Sequence, residues 1–422
     1  MTMQHAPMGW NSWDCYGAAV TEKVVLQNAR YMADHLKPFG WEYVVVDIQW
    51  SEPGANGHMY RPFAVLEMDD FSRLMPAVNR FPSAAGGKGF APLADEIHRM
   101  GLKFGIHIMR GIPRQAVHLN TKILGTDRTA GEIADISSVC SWNTDMYGVD
   151  PKKEGALEYY NSLFSLYASW GVDFIKLDDI CRELPHAEEE LLLISRAHKT
   201  CGRKMLLSLS PGPALPEKAK LFKNTACMWR ITDDFWDDWK LLYDMFDRAK
   251  TWCHHAGNGH WPDADMLPIG PLRQKDDPSE WTRFTEEEQI TMMSLWCIMR
   301  SPLMIGGEMT GFDSFSLQLV TNREILRMHR LARYSHPVWR KKVQGTELVL
   351  WTAHCAEGGT YAALFNIGEE VLTTSLSFSD LRLEGNLLCQ DLWKNTVFHS
   401  SGFLSITLKK HEAAVFLLQR LD

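Results

Sequence analysis

The sequence lacks the features that mark several large protein classes. No apolar run approaches the roughly 20 residues needed to span a bilayer; the longest, such as Tyr43–Val46 and Leu191–Ile194, suit a strand or a turn of buried helix. Positive charge is not in excess. Lysine and arginine number 44 against 52 aspartates and glutamates, and the net charge of −8 argues against a broad nucleic-acid-binding surface. The nine cysteines, scattered from Cys15 to Cys389, include no CxxC pair, and no basic stretch leads into an apolar one near Met1. Both absences point to reduced thiols and a cytoplasmic protein. No GxGxxG follows a strand-like run and no GxxxxGKS/T occurs, so nucleotide binding of those types has no support. A Gly-x-Ser-x-Gly elbow and an early His-x-His pair are missing as well, which removes the usual signals of serine hydrolases and zinc amidohydrolases.

What is present is a packed globular composition, 45% hydrophobic and 23% charged over 422 residues, enough for one large domain and a smaller one. Up to about residue 330, β-rich runs alternate with helix-period stretches. Tyr43–Ile48, Lys103–Ile108, Phe174–Asp179 and Met205–Ser210 read as buried parallel strands. Met8–Trp13, Ala226–Ile231, a weak segment at His254–His255 and Ser301–Ile305 complete a set of about eight. Helical stretches at 22–35, 90–100, 152–170, 187–199, 235–251, 286–297 and 314–329 follow most of them. This alternation predicts an α/β fold, a (β/α)₈ TIM barrel over 1–332. From Arg333 the texture changes to strands separated by Gly, Asn, Glu and Ser clusters, which predicts a C-terminal antiparallel β-sandwich over 333–422. The long Gly- and Pro-rich loop Ser51–Gly89 follows the second strand and is expected to overhang the barrel mouth.

Chemistry in such a barrel sits at the carboxyl ends of the strands. Those ends carry Trp13, Asp47, His107, Lys176 with Asp178 and Asp179, Ser210, Arg230 with Asp233 and Asp234, and Asp263 with Asp265. Carboxylates on different strands beside tryptophans are what glycoside hydrolysis needs: one for the anomeric carbon, one to protonate the leaving oxygen, and flat faces for sugar rings. Lys176, two residues before Asp178, points to the same side of its strand and keeps that carboxylate ionised. Each acid also has a plainer reading. Asp178 suits a helix cap, and Asp234, Asp237 and Asp238 suit first-turn acids favoured by a helix dipole. A Mg²⁺-using barrel would draw on Asp178, Asp179 and Asp234, but Lys176 beside them argues against it. A sugar-binding protein without catalysis would keep the 16 tryptophans and need neither acid.

At these residues the chain resembles glycoside hydrolase family 27, the retaining α-galactosidases and α-N-acetylgalactosaminidases. The resemblance is carried nearly end to end. Its segments are Met8-Gly-Trp-Asn-Ser-Trp, Asn79-Arg-Phe-Pro-Ser, Leu93–Ile106, Val172-Asp-Phe-Ile-Lys-Leu-Asp, Trp229-Arg-Ile-Thr-Asp-Asp, Trp261-Pro-Asp-Ala-Asp-Met-Leu, Trp296–Gly306, Asp391-Leu-Trp and His411–Leu418. It implies Asp178 as nucleophile and Asp234 as acid/base, their carboxyls about 5–5.5 Å apart as in retaining enzymes. It implies that Trp13, Asp47, Lys176 and Arg230 hold the glycone, with Asp265 and Met266 packing close by. No cofactor and no metal are implied; the partner is an oligosaccharide or glycoconjugate, with no nucleic acid and no membrane.

Departures from the family pattern bear on the substrate. The family usually carries two consecutive aspartates that hydrogen-bond the 6- and 4-hydroxyls of galactose, and here the pair reads Asp47-Ile48. Ile48 cannot hydrogen-bond an axial hydroxyl, which favours the arabinopyranosidase and glucanase alternatives. A usual tyrosine appears as His107, still able to donate or accept. The loop Ser208-Leu-Ser-Pro-Gly-Pro-Ala offers small Ser210 and Ala214, loosely like the acetamido-accepting form, and Leu209 replaces a disulfide cysteine. The expectation is therefore a retaining, exo-acting enzyme of the α-galactosidase type. α-N-Acetylgalactosaminidase, β-L-arabinopyranosidase and isomaltose-releasing α-glucanase are the alternatives.

Overall fold

The computed structural model describes residues 5–182 and 187–420. Eight parallel strands follow one another: β1 (Met8–Asn11), β2 (Tyr43–Val46), β3 (Lys103–Met109), β4 (Phe174–Asp178), β5 (Leu206–Leu209), β6 (Met228–Arg230), β7 (Trp261–Asp263) and β8 (Leu303–Ile305). They pair in the order β7-β6-β5-β4-β3-β2-β1-β8, and the sheet curls shut through a parallel bridge from Leu267, just past β7, to Ile305. Helices separate them: α1 (Glu22–Tyr31), α2 (Ala91–Arg99), α3 (Ala156–Ser169), α4 (Ala187–Thr200), α5 (Ala219–Thr225), α6 (Trp239–Trp252) and α7 (Glu286–Met299), with α8 (Ser314–Thr321) and α9 (Arg323–Leu331) after β8. This is the predicted (β/α)₈ architecture. The strands are buried on both faces, which is why they read as unbroken apolar runs. Helix α2 buries Leu93, Ala94 and Ile97 along one stripe and starts with Pro92 in its first turn, where its missing N–H costs nothing. No helix among the described residues is long and apolar enough to cross a membrane.

Helix α9 ends at Leu331 and an antiparallel region begins at Ala332. Its strands are β9 (Ala332–Val343), β10 (Thr346–Cys355), β11 (Thr360–Asn366), β12 (Leu372–Ser377), β13 (Asn386–Asp391), β14 (Thr396–Ser401), β15 (Phe403–Leu408) and β16 (Ala413–Arg420). Six form one sheet in the order β9-β10-β11-β16-β13-β14, and β12 pairs with β15 across from it. Period-two alternation divides the large sheet. Val349, Trp351, Tyr361, Phe365 and Val415 join the barrel core, while Leu348, Leu350, Leu364, Phe416 and Leu418 pack with Leu376 and Leu404 of the small sheet. Helix α7 lies between barrel and sheet and is buried nearly all round, so it shows no amphipathic stripe. Its Glu288 meets Nδ1 of His411 at 2.6 Å, and that imidazole stacks on Trp239 of α6 with ring centroids 3.4 Å apart.

Several sequence expectations need correction. The seventh strand is Trp261–Asp263; His254–His255 instead belongs to a 3₁₀ turn, Cys253–His255. The helix expected over 314–329 breaks at Asn322, whose side chain caps α9 by accepting from the N–H groups of Glu324 and Ile325. Strands β9, β13 and β14 went unpredicted: β9 carries a charged Arg-Lys-Lys run and β14 is largely exposed, so neither alternates clearly.

Candidate active site

The carboxyl ends of β2, β4, β6 and β7 meet over one cavity of about 330 Å³. Trp13, Asp47, Ile48, Lys176, Asp178, Arg230, Asp234, Asp265 and Met266 all line it. Lys176 and Asp178 lie two apart on β4 and so face the same way. The next residue, Asp179, is in the left-handed region (φ 58°), and its carboxylate turns to Arg110, 3.1 Å away. The Asp178-Asp179 pair is thereby split, one acid to the cavity and one to a buried ion pair.

Asp47 is 1% exposed and fully engaged. Its Oδ2 accepts from Asn11 Nδ2 at 2.7 Å and Lys176 Nζ at 2.8 Å, and its Oδ1 accepts from the N–H of Ile48 at 2.8 Å. Burial opposes its ionisation, but the charges of Lys176 and His107 and these hydrogen bonds outweigh it and hold the carboxyl below its ordinary value. Asp178 is governed alike. Burial pushes its carboxyl up; the hydrogen bond and charge of His107, then Lys176 and the N–H of Asp179, bring it far below the usual carboxylate range. The carboxylate is therefore ionised throughout the neutral range. Lys176 loses some basicity to burial and regains more from Asp47 and Asp178, so its ammonium persists well into alkali.

Across the cavity, Arg230 binds two acids, Asp265 Oδ2 at 2.6 Å and Asp234 Oδ1 at 3.0 Å. Asp265 sits in the left-handed region (φ 81°), a conformation costing about 1–3 kcal/mol for a residue with a side chain. It is held there by its N–H on Asp263 Oδ1 at 2.9 Å and by its carbonyl, which accepts from Trp296 Nε1 at 3.0 Å. Burial, opposed by Arg230 and reinforced by Asp234 and Asp263, pushes the Asp265 carboxyl up to about 7. The Asp234 side chain itself is 59% exposed, at the open side of the cavity. Its neighbour Asp233 faces outward to Arg182 Nη2 at 2.6 Å.

Two candidates do not line the cavity. His107 is 1% exposed and lies behind Asp178, its Nε2 2.8 Å from Asp178 Oδ2. A direct contact with sugar, allowed for in the sequence, gives way to a contact with the carboxylate. Replacing His107 by phenylalanine keeps a flat ring, slightly larger than the imidazole, and removes a charge-assisted hydrogen bond. We expect kcat/KM at pH 7 to fall about 10- to 100-fold. The acid limb of its pH profile should move up, because the carboxyl loses the partner that depresses it.

Ser210 is likewise buried at 1% exposure, and Pro211 presents the loop to the cavity instead. Gly212 brings this loop against the end of β6, where an added Cβ would lie 2.5 Å from the carbonyl oxygen of Arg230. Ala214, the other small residue of the loop, is 4% exposed in the core. Asp238 caps α6 by accepting from the N–H of Lys240 at 2.8 Å rather than lying in its first turn as expected, and Asp237 binds Arg273 at 2.9 Å.

Sequence reasoning missed Asp14, Tyr60, Trp142, Arg182, Phe235 and Trp236 as lining residues. Asp14 follows Trp13 directly and could have been found from the opening segment. Burial and the charge of Asp265 raise its carboxyl well above the ordinary value. Tyr60 comes from the long loop after β2, and Trp142 from a three-stranded excursion after β3 made of Ile112–Pro113, Ala134–Val139 and Met146–Val149. Neither is marked by a local pattern.

Comparison with known proteins gives the same picture. The family model described as α-galactosidase A matches residues 148–330, and that of the α-galactosidase C-terminal β-sandwich domain matches 345–418. A family 27 β-L-arabinopyranosidase from Geobacillus stearothermophilus is 55% identical, covering 99% of this chain and 97% of its own with a TM-score of 0.96. A provisional α-N-acetylgalactosaminidase from Bacillus halodurans is 50% identical, with a TM-score of 0.88 and coverage of 99% and 97%. An α-galactosidase from Cyamopsis tetragonoloba is 26% identical over 98% of this chain and 86% of its own. The chain belongs to glycoside hydrolase family 27.

Proposed function

We propose that this glycoside hydrolase removes terminal β-L-arabinopyranosyl residues with retention of configuration. This sugar has the ring of α-galactose without its C6 arm. The observation that carries the reading is Ile48. It is 3% exposed, lines the cavity, and packs with Met109, Cys140 and Met146 into an apolar wall beside Asp47. A hydroxymethyl group buried against that wall leaves its hydroxyl without a partner, at a cost of about 1–3 kcal/mol. A ring lacking C6 meets no such penalty. The 55% identical β-L-arabinopyranosidase, of which an arabinose complex exists, supports the reading. α-Galactosides share the ring and are expected as slower substrates. Pro211, a ring without a side-chain donor, gives an acetamido group no hydrogen-bonding partner, which disfavours N-acetylgalactosamine.

In this reading ionised Asp178 attacks the anomeric carbon while Asp234, at the open side, gives its proton to the departing oxygen. Water then opens the glycosyl-enzyme with Asp234 as base, and two inversions give retention. Asp47 and Lys176 hold hydroxyls of the glycone. Nine unpaired thiols fit a reducing, cytoplasmic setting.

Nitrophenyl glycosides test the assignment. We expect kcat/KM on the β-L-arabinopyranoside to exceed that on the α-galactoside about tenfold or more, with the α-N-acetylgalactosaminide and α-glucoside slower still. A dominant rate on any of the other three would overturn it.

A further inference from the structure

A second cavity, of about 670 Å³, lies at the other end of the barrel from the catalytic acids. Its walls come from residues that precede strands rather than follow them: His5 ahead of β1, His254 ahead of β7 and Arg300 ahead of β8. Strand β9 of the antiparallel region completes the wall with Arg333 and Ser335.

The charge of this cavity has one sign. The chain carries 52 acidic residues to 44 basic ones, yet no aspartate or glutamate lines the cavity among the described residues. Arg300 is 5% exposed; its guanidinium carbon lies 4.7 Å from the ring centroid of Trp261, and its Nε donates to the carbonyl of His329 at 3.3 Å. Arg333 Nη1 donates to the carbonyls of Arg330 and Ala332, both at 2.8 Å. Those carbonyls satisfy N–H groups of Arg333 but leave its charge standing beside Arg300. Burial and the charge of Arg333 push the Arg300 guanidinium down to about 10, and burial with Arg300, Arg330 and Arg333 lowers the imidazole of His5. The cations crowd one another.

Strand β9 is bent to form this wall. Between Arg333, opposite His354, and His336, opposite Thr352, it carries one residue more than β10, and Tyr334 takes the left-handed region (φ 55°). The bulge leaves the Tyr334 ring 82% exposed at the cavity and buries Ser335, whose hydroxyl meets no partner. A buried hydroxyl left unpaired is costly, and an acceptor entering the cavity relieves it.

We propose that this cavity binds a small phosphate monoester, its dianionic group held by Arg300, Arg333 and the Ser335 hydroxyl, with its organic body lying toward Tyr334. A phosphate offers acceptor oxygens to guanidinium forks and to a hydroxyl together, and it brings two negative charges to crowded positive ones. The cavity is larger than a lone phosphate needs and falls within the range of small-molecule sites, so a body of sugar size fits beside the anion. The site is independent of which glycoside the catalytic acids cleave.

Calorimetric titration at low ionic strength, with glucose 6-phosphate as the probe, tests it. We expect one site per chain, about tenfold tighter for glucose 6-phosphate than for inorganic phosphate, and about a hundredfold weaker for glucose. Arg333→Gln should weaken glucose 6-phosphate tenfold or more and Ser335→Ala about threefold. Arg333→Lys keeps the charge without the fork and should fall between wild type and Arg333→Gln. Melting temperatures within about 3 °C of wild type would show that the variants fold, and Ser335→Ala, which loses one oxygen, carries the test should either arginine variant unfold. No saturable binding of glucose 6-phosphate at millimolar concentration, or an affinity unchanged in folded Arg333→Gln and Ser335→Ala, would overturn the site. Inorganic phosphate binding as tightly as glucose 6-phosphate would overturn the monoester.

Discussion

Replacing Asp178 by alanine should lower kcat by about 10⁴-fold or more on every glycoside, the scale seen when a covalent catalyst is removed. The expectation follows from how the residue is held. Its carboxylate lies between His107 and Lys176, with the N–H of Asp179 on Oδ1 at 2.8 Å, so nothing else on β4 can reach the same point with the same charge. Azide should restore part of the rate, because a small anion fits where the carboxylate stood and needs no base. The azide product should carry the configuration opposite to the substrate, since only one displacement then occurs. Asp179→Ala should behave differently. It breaks a buried pair with Arg110, costing stability of the order of 3–5 kcal/mol rather than the chemical step. Rates and product NMR distinguish the two.

Ile48→Asp carries the second large effect. It restores an acceptor where the apolar wall stands, and should shift the ratio of α-galactoside to β-L-arabinopyranoside kcat/KM by about 10- to 100-fold toward the galactoside, equivalent to one buried hydroxyl gaining a partner. Absolute rates on both should fall, because a carboxylate beside Asp47 and Asp178 shares a single Lys176 with them. The ratio cancels that loss. An unchanged ratio would mean that Ile48 does not face the substrate's C5 substituent.

The barrel was legible because its strands are buried on both sides and its helices on one, two patterns that differ in period. Where burial was symmetric or absent the signal faded. Trp261–Asp263, only three residues long, was outcompeted by His254–His255, and exposed β14 has no buried face. The acids could be found because strand ends collect charge, and Lys176 two residues before Asp178 follows from the pleat alone. Their orientation could not. Only the fold shows that Asp179 turns to Arg110 or that His107 stands behind the carboxylate. Nor does a sequence announce which loop residue reaches a cavity: Pro211 does and Ser210 does not, because Gly212 draws the loop onto β6. The outer wall was hardest, since Tyr60 and Trp142 arrive from long excursions with no repeating pattern to mark them.

The most direct measurement traps the glycosyl-enzyme. A 2-deoxy-2-fluoro glycosyl fluoride with the arabinopyranosyl ring slows both steps, hydrolysis of the intermediate included, and its adduct survives digestion and mass spectrometry. The account predicts one sugar per chain, carried on Asp178, with activity returning as the adduct turns over. A label on Asp234 or another residue, or no adduct together with a product of inverted configuration, would contradict it.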